Sequence, residues 1–122
     1  MARGIALAVL LALAAAAAAC APSTSVDGDG ADVEIISREM AFVPPTLTVL
    51  AGQPFSLRLT NEDAAPHNVA IYVDSSASES LFVGELITSA SVTYAVPALA
   101  PGTYFFHCDL HPEMTGTLVA ED

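Results

Sequence analysis

The sequence predicts an all-β fold, a two-sheet antiparallel Greek-key sandwich of seven to nine short strands. Residues 33–121 consist of short runs rich in β-branched and aromatic side chains, and none of these runs sustains helical spacing. Turn-forming Gly, Pro and Asn residues separate the runs at short intervals. About 90 residues are enough for one sandwich domain of this kind, and for no second domain.

Nine candidate strands follow one another between turn signals. In chain order they read VEIIS, AFV, LTVL, FSLRLT, HNVAIYV, LFV, SVTYAV, GTYFFHC and GTLVA. The punctuating residues are Pro44-Pro45, Gly52, Asn61, Gly84, Pro101-Gly102 and Gly116. Since strands this short cannot bury both faces alone, we expect them to pair into two packed sheets.

The run TYFFHC fixes the relative directions of two side chains that could bind a metal. Alternate residues of a strand point to opposite faces, so Phe106 and Cys108 share one face and Phe105 and His107 share the other. His107 and Cys108 are therefore predicted to point apart and not to bind the same ion. We interpret His107 as a structural or surface residue.

The N-terminal segment, residues 1–19, has the layout of a secretory signal peptide. One early charge, Arg3, precedes an uninterrupted apolar run from Ile5 to Ala19 that ends in small residues. The run is on the short side for a membrane-spanning helix, although an uncleaved anchor is the alternative.

The junction after the signal resembles the lipobox of bacterial lipoproteins. Ala19 is the small residue before Cys20, although Ala17 stands where that family usually has Leu. The resemblance implies cleavage before Cys20 and lipid attached to it, with residues 20–32 as a flexible tether to a domain spanning 33–121. A Cys20–Cys108 disulfide is the alternative, and the polar tether around Cys20 argues against it.

Charge excludes one large class of function. Without residues 1–19 the chain keeps two cations, Arg38 and Arg58, against 14 acidic residues, for a net charge of −12. No Lys occurs anywhere in the chain. Because nucleic-acid binding depends on basic side chains that neutralise phosphates, we predict no nucleic-acid partner.

The segment 102–119, GTYFFHCDLHPEMTGTLV, gathers scarce metal-binding side chains around one turn. Cys108, His111 and Met114 are spaced three apart, and a turn can bring all three to one point. The one further His that could join them is His67, at the start of a strand-like run. Two His and one Cys with a weak axial Met form the ligand set of a blue-copper centre.

Two other interpretations of these residues remain open. Zinc binds Cys and His, but a thioether is a poor zinc ligand, so Met114 argues against it. Alternatively, Cys108 and Met114 are ordinary core residues. The combination of four ligand types favours the metal site.

Two motifs give the chain a recognisable family likeness. NEDAAPHNV and CDLHPEMTGTLVA resemble the two ligand loops of the cupredoxins, the type 1 blue copper proteins, and the short second loop is most similar to amicyanin- and plastocyanin-like members, above all the amicyanin form. The resemblance covers roughly residues 33–120. It implies one type 1 copper ion with His67, Cys108 and His111 as equatorial ligands and Met114 as the axial ligand.

The same resemblance assigns supporting residues. Asn68 matches the Asn that ties the two ligand loops together. Pro66 and Pro112 flank the ligand His residues, and their fixed φ angles reduce the conformational entropy of the loops.

The implied function is electron transfer, not enzymatic catalysis. We expect a monomeric one-electron carrier, exported to the periplasm or the outer face of the cell membrane and held to that membrane by an N-terminal lipid or anchor. Its partners would be a redox donor and a redox acceptor. The alternative is an extracytoplasmic copper-binding protein or chaperone, although the mature chain has few Met and His beyond the predicted site. An oxidase or reductase fragment would need ligands for further metals, which the sequence lacks.

Overall fold

The structure, a computed structural model, describes residues 30–122. Nine strands lie within these residues. The predicted signal peptide, Cys20 and all of the tether before residue 30 lie outside the described residues. The strands are β1 (Val33–Arg38), β2 (Ala41–Val43), β3 (Thr46–Leu50), β4 (Phe55–Asn61), β5 (Ala70–Tyr72), β6 (Ser80–Val83), β7 (Ser91–Val96), β8 (Gly102–Cys108) and β9 (His111–Glu121). Residues 30–122 include no helix long and apolar enough to span a membrane.

The predicted all-β sandwich is confirmed, with one correction to its strand directions. One sheet has the order β2-β1-β4-β7 and the other the order β3-β9-β8-β5-β6. Each sheet contains a parallel pair, β1 with β4 and β3 with β9, so both are mixed rather than wholly antiparallel. Neither pair is consecutive in the chain. No hairpin therefore forces these strands to be antiparallel, and turn signals could not have predicted their direction.

The core lies between the sheets and follows the alternation of the strands. In β4, Phe55, Leu57, Leu59 and Asn61 are buried while the residues between them are partly exposed. The largest apolar side chains with less than 2% exposure are Phe106, Ile35, Leu57, Leu59, Ile71, Met114 and Leu118. They come from both sheets, as expected where two amphipathic sheets bury one face each.

The predicted parity of β8 is confirmed. Phe106 and Cys108 are fully buried in the core, whereas Phe105 and His107 lie on the outer face of the five-stranded sheet. The His107 ring packs against Tyr72, with ring centroids 4.8 Å apart, and against Phe105 at 5.5 Å. His107 therefore points away from Cys108.

Two strand boundaries differ from the predicted runs. In HNVAIYV only Ala70–Tyr72 forms a strand, and His67 instead makes an isolated bridge with Ile87. The last strand begins earlier than GTLVA, at His111, so the turn after β8 is short. Met114 consequently lies within β9 and not in the turn itself.

Tyr94 provides a prediction for alkaline pH. Its ring is 5% exposed, packs against Phe82, and donates its hydroxyl to the carbonyl oxygen of Glu85 at 2.7 Å. Burial raises the pKa of Tyr94 to about 12, above the value of about 10 in an unfolded chain. The resulting stabilisation is complete below pH 10 and is lost as the pH rises to 12. We expect it to amount to about 2–3 kcal/mol.

Denaturant titrations between pH 8 and 12 would measure this loss. Tyr94→Phe should flatten the alkaline decline, whereas Tyr104→Phe, which removes a hydroxyl from the surface, should not. An unchanged decline in Tyr94→Phe would contradict the assignment.

Candidate metal centre

Three ligand atoms converge at one end of the sandwich. The Nδ1 atoms of His67 and His111 are 3.1 Å apart, and the Sγ atom of Cys108 lies 3.8 Å from the first and 3.6 Å from the second. A triangle with these sides has a circumradius of about 2.0 Å, close to metal–nitrogen and metal–thiolate bond lengths of about 2.0–2.3 Å. A single ion in the plane of the three atoms therefore fits all of them without rearrangement. Within residues 30–122, His67, Cys108 and His111 therefore form a group whose ligand atoms lie close enough to hold one metal ion.

The hairpin between β8 and β9 positions two of the three ligands. Cys108 ends β8 and His111 begins β9, and the two residues face each other across the antiparallel ladder. An irregularity in register between His107 and Cys108 lets the chain turn within the intervening residues Asp109 and Leu110. This local geometry explains why a Cys-x-x-His spacing suffices to bring a thiolate and an imidazole together.

The third ligand is positioned by a loop that Asn61 organises. Asn61 ends β4 and is 3% exposed. Its side-chain nitrogen donates to the carbonyl oxygens of Ala65 (2.8 Å) and Ile87 (2.9 Å), and its oxygen accepts from the Ser37 hydroxyl and the Asp63 amide. Because all four hydrogen-bonding positions of this buried amide are used, the loop that carries His67 has one well-defined path.

His67 is then held on both its backbone and its ring. Its amide and carbonyl pair with those of Ile87, and its Nε2 lies 2.9 Å from Oδ2 of Asp63. A proton on Nε2 donates to that carboxylate and leaves the lone pair of Nδ1 directed at Cys108 and His111. Asp63 thus selects the ring tautomer that a metal ligand needs.

The Asp63 carboxylate is itself well supported. Partial burial would raise its pKa, but hydrogen bonds from the Met40 amide, the His67 ring and the Glu39 amide outweigh that effect and lower the pKa below its ordinary value. Asp63 therefore stays ionised and links the β1–β2 turn to the His67 ring.

We expect Asp63→Asn to weaken metal binding. The amide cannot act as a charged acceptor for the Nε2 proton, and loss of such outer partners of metal ligands lowers metal affinity by about 10–100-fold. Competition with a chelator of known affinity would measure the change. Asp74→Asn is the matched control, because Asp74 is ionised and exposed but bonds only within its own turn, to Ser76. Equal affinities in the two variants would contradict the role of Asp63.

A second polar cluster joins the two ligand loops. Asn68, 2% exposed, accepts the amide proton of Asp109 at 2.9 Å and donates to Oδ2 of Asp109 at 3.1 Å. Tyr72 donates its hydroxyl to Oδ1 of Asp109 at 2.7 Å, and Nε2 of His107 lies 3.1 Å from the same oxygen. The residue after His67 is therefore tied directly to the residue after Cys108.

These contacts shift two pKa values. Partial burial opposes ionisation of Asp109, but hydrogen bonds from Tyr72, Asn68 and His107 outweigh it and lower the pKa of Asp109. The hydrogen bond to Asp109, together with burial, raises the pKa of Tyr72 to about 12. At neutral pH the cluster therefore holds an ionised carboxylate and a neutral phenol.

The remaining predicted residues have the following places. His67 and Cys108 are fully buried, whereas His111 is partly exposed. Met114, 1% exposed, lies in the core three residues beyond His111. Pro66 and Pro112 are exposed and adjoin His67 and His111 in the chain.

Asp63 and Asp109 were not identified as supporting residues from the sequence. Asp63 carried a usable signal, because it stands four residues before His67 in the NEDAAPHNV loop. Asp109 had no comparable signal in the sequence. Its neighbours in space, Asn68 and Tyr72, are 41 and 37 residues away in the chain.

The chain is similar to several proteins of known type. A family model described as a cupredoxin-like domain matches residues 4–120. The chain is 35% identical over 88 residues to amicyanin-alpha of Methylorubrum extorquens, covering 72% of this chain and 71% of that protein. It is 32% identical over 92 residues to amicyanin of Paracoccus versutus, covering 75% of this chain and 67% of that protein. Auracyanin A, a "blue" copper protein of Chloroflexus aurantiacus, superimposes with a TM-score of 0.64 at 27% identity, over 75% of this chain and 99% of that one.

Proposed function

The chain belongs to the cupredoxin-like family, and on that premise we propose that it carries single electrons through one type 1 copper ion held by His67, Cys108, His111 and Met114. Bound copper supplies a couple of two oxidation states, Cu(II) and Cu(I). The thiolate and thioether suit the reduced state and the imidazoles suit both. No substrate is transformed.

The observation that carries this proposal is the preformed triangle of ligand atoms. The two Nδ1 atoms and the Sγ atom already lie 3.1–3.8 Å from one another. Asn61, Asp63 and Asn68 fix the loops that carry them through hydrogen bonds. A rigid site whose ligands suit both Cu(I) and Cu(II) needs little rearrangement when the oxidation state changes, and this favours fast electron transfer.

The partly exposed ring of His111 is the proposed point of electron entry and exit. Of the three residues in the triangle it alone is not fully buried. The chain neighbours Leu110 and Pro112 are exposed, as are Ala64 and Pro66 in the other ligand loop. A small apolar surface around this ring suits brief contacts between a monomeric carrier and its redox donor and acceptor.

We further propose that the protein is exported and tethered to the outer face of the cell membrane through lipidated Cys20. Strand β1 begins beside Ser56, which bonds Asp32, and runs toward Arg38 and Glu39. Glu39 contacts Asp63 and so lies at the metal end of the domain. Asp32, the last residue of the proposed tether, therefore lies at the pole opposite His111, and a lipid on Cys20 would be attached from the end of the domain away from the metal site. Mass spectrometry and membrane fractionation of the full chain and of Cys20→Ser would test the lipid anchor.

Spectroscopy and voltammetry of the copper-loaded mature chain would test electron transfer. We expect an intense visible thiolate-to-copper charge-transfer band, the electron paramagnetic resonance signal of a type 1 centre, and a reversible one-electron couple. Absence of the band after addition of Cu(II) would refute the site. A chain that binds copper, shows no reversible couple and hands Cu(I) to a chelator would instead support the copper-chaperone function.

A further inference from the structure

Asp109 places a carboxylate next to Cys108 in the chain, and its bonds go to Asn68, Tyr72 and His107 rather than to the three ligand side chains. It is the residue directly after Cys108, and its side chain is 33% exposed. Both carboxylate oxygens have partners: Oδ1 bonds Tyr72 and His107, and Oδ2 bonds Asn68. These contacts hold the carboxylate against the outer face of β8 and restrict its movement into solvent.

We infer that Asp109 is a positioning residue that lowers the midpoint potential of the copper site, because its hydrogen bonds hold a negative charge on the residue that directly follows the thiolate ligand in the chain. The inference rests on the proposed electron-transfer function and deepens it. It assigns to one side chain a part in setting the direction in which electrons flow between the carrier and its partners.

Neither arginine of residues 30–122 pairs with Asp109. Arg38 pairs with Glu62, and Arg58 lies opposite Glu34 in the four-stranded sheet, whereas Asp109 adjoins the five-stranded sheet. Tyr72 and Asn68 are neutral donors, which orient the carboxylate without removing its charge. Of the groups that contact the carboxylate, only the His107 ring could carry a positive charge.

The sign of the effect follows from Coulomb's law. Oxidised copper carries one more positive charge than reduced copper, so a fixed negative charge stabilises the oxidised form more. The interaction is stronger than in bulk water because Cys108 is fully buried and Asp109 is only partly solvated. An aspartate is ionised at neutral pH, so the charge is present under ordinary conditions.

Asp109→Asn in the copper-loaded mature chain tests the inference. The carboxamide keeps an oxygen for the Tyr72 hydroxyl and the backbone amide that donates to Asn68, but it removes the charge and the oxygen that accepts from Asn68 Nδ2. We expect a more positive midpoint potential, with the ratio of Cu(II) to Cu(I) affinity falling by about tenfold, the lower end of outer-partner effects on metal affinity. Chelator competition with Cu(II) and Cu(I) gives this ratio without any electron-transfer assay.

Tyr72→Phe separates charge from structural support. It removes a neutral donor that offsets part of the carboxylate's negative charge, so the potential should fall or stay constant. Loss of loop rigidity alone would instead move Asp109→Asn and Tyr72→Phe in the same positive direction, and that outcome would overturn the inference. Glu121→Gln, which removes an equal charge at the far end of β9, is the control. A shift in Asp109→Asn no larger than that of Glu121→Gln would also overturn it.

Failure of the proposed function would look different from failure of this inference. If the parent chain lacks the charge-transfer band or a reversible couple, electron transfer is refuted irrespective of the variants. If the parent chain has both and Asp109→Asn leaves the affinity ratio unchanged, only the role of Asp109 is refuted.

Discussion

Gly116→Ala is expected to lower the free energy of unfolding by about 3 kcal/mol, the upper end of the usual cost of overpacking a core. A Cβ atom at Gly116 would lie 2.1 Å from Cζ of Phe106, and 2.5 and 2.7 Å from its Cε atoms. Phe106 is fully buried, stands opposite Gly116 in the β8–β9 ladder, and packs against Phe42. Because the ring is fully buried, the overlap can be relieved only by local separation of the two strands or the two sheets.

Denaturant unfolding of the parent and variant chains would measure this cost. Thr115→Ala, a truncation of the exposed neighbour in β9, is the control and should change stability by less than about 0.5 kcal/mol. In a Phe106→Leu background the ring is absent, and Gly116→Ala should cost much less. A cost that is the same in both backgrounds would contradict the steric explanation.

The second large effect is expected from removal of copper. An ion that binds only the folded state stabilises it by about 4 kcal/mol at a free concentration one thousand times its dissociation constant. In a domain of this size each kcal/mol moves the melting temperature by about 4–8 °C, so the copper-free chain should melt about 15–30 °C lower. The three ligand atoms come from two loops, and the metal therefore joins segments that are far apart in the sequence.

Calorimetry of the copper-loaded and copper-free chains would check this difference. Cys108→Ser removes the thiolate from a fully buried position, and we expect it to lose both the visible band and most of the stabilisation by copper. Thr115→Ala should keep both. Nearly equal melting temperatures with and without copper in the parent chain would mean that the site contributes little to the fold.

The predictions that succeeded concern short stretches of chain. The parity of TYFFHC predicts that His107 and Cys108 point apart, and the structure confirms it, with Cys108 in the core and His107 on the outer face of the sheet. The Cys-x-x-His spacing placed a thiolate and an imidazole on one hairpin, where they lie 3.6 Å apart. Both results depend on the two-residue period of a strand and on a tight turn, which are properties of a few consecutive residues.

The predictions that fell short concern residues distant in the sequence. The parallel pairing of β1 with β4 and of β3 with β9 carries no local signal, and it was predicted as antiparallel. Gly116 was interpreted as a turn residue. The structure places it within β9. A glycine is needed there because the ring of Phe106 occupies the space that a side chain would fill.

The sequence by itself determined the strand-forming runs, the opposed directions of His107 and Cys108 and the types of ligand, because side-chain alternation and donor chemistry are local properties. Only the tertiary structure decided that His67 lies 3.8 Å from the Cys108 sulfur, that Asp63 orients its ring, and that Asp109 meets Asn68 and Tyr72. Those contacts join segments 37–41 residues apart or depend on the path of a loop. Packing of the two sheets as a whole determines which distant groups meet, and no single run of residues specifies that outcome.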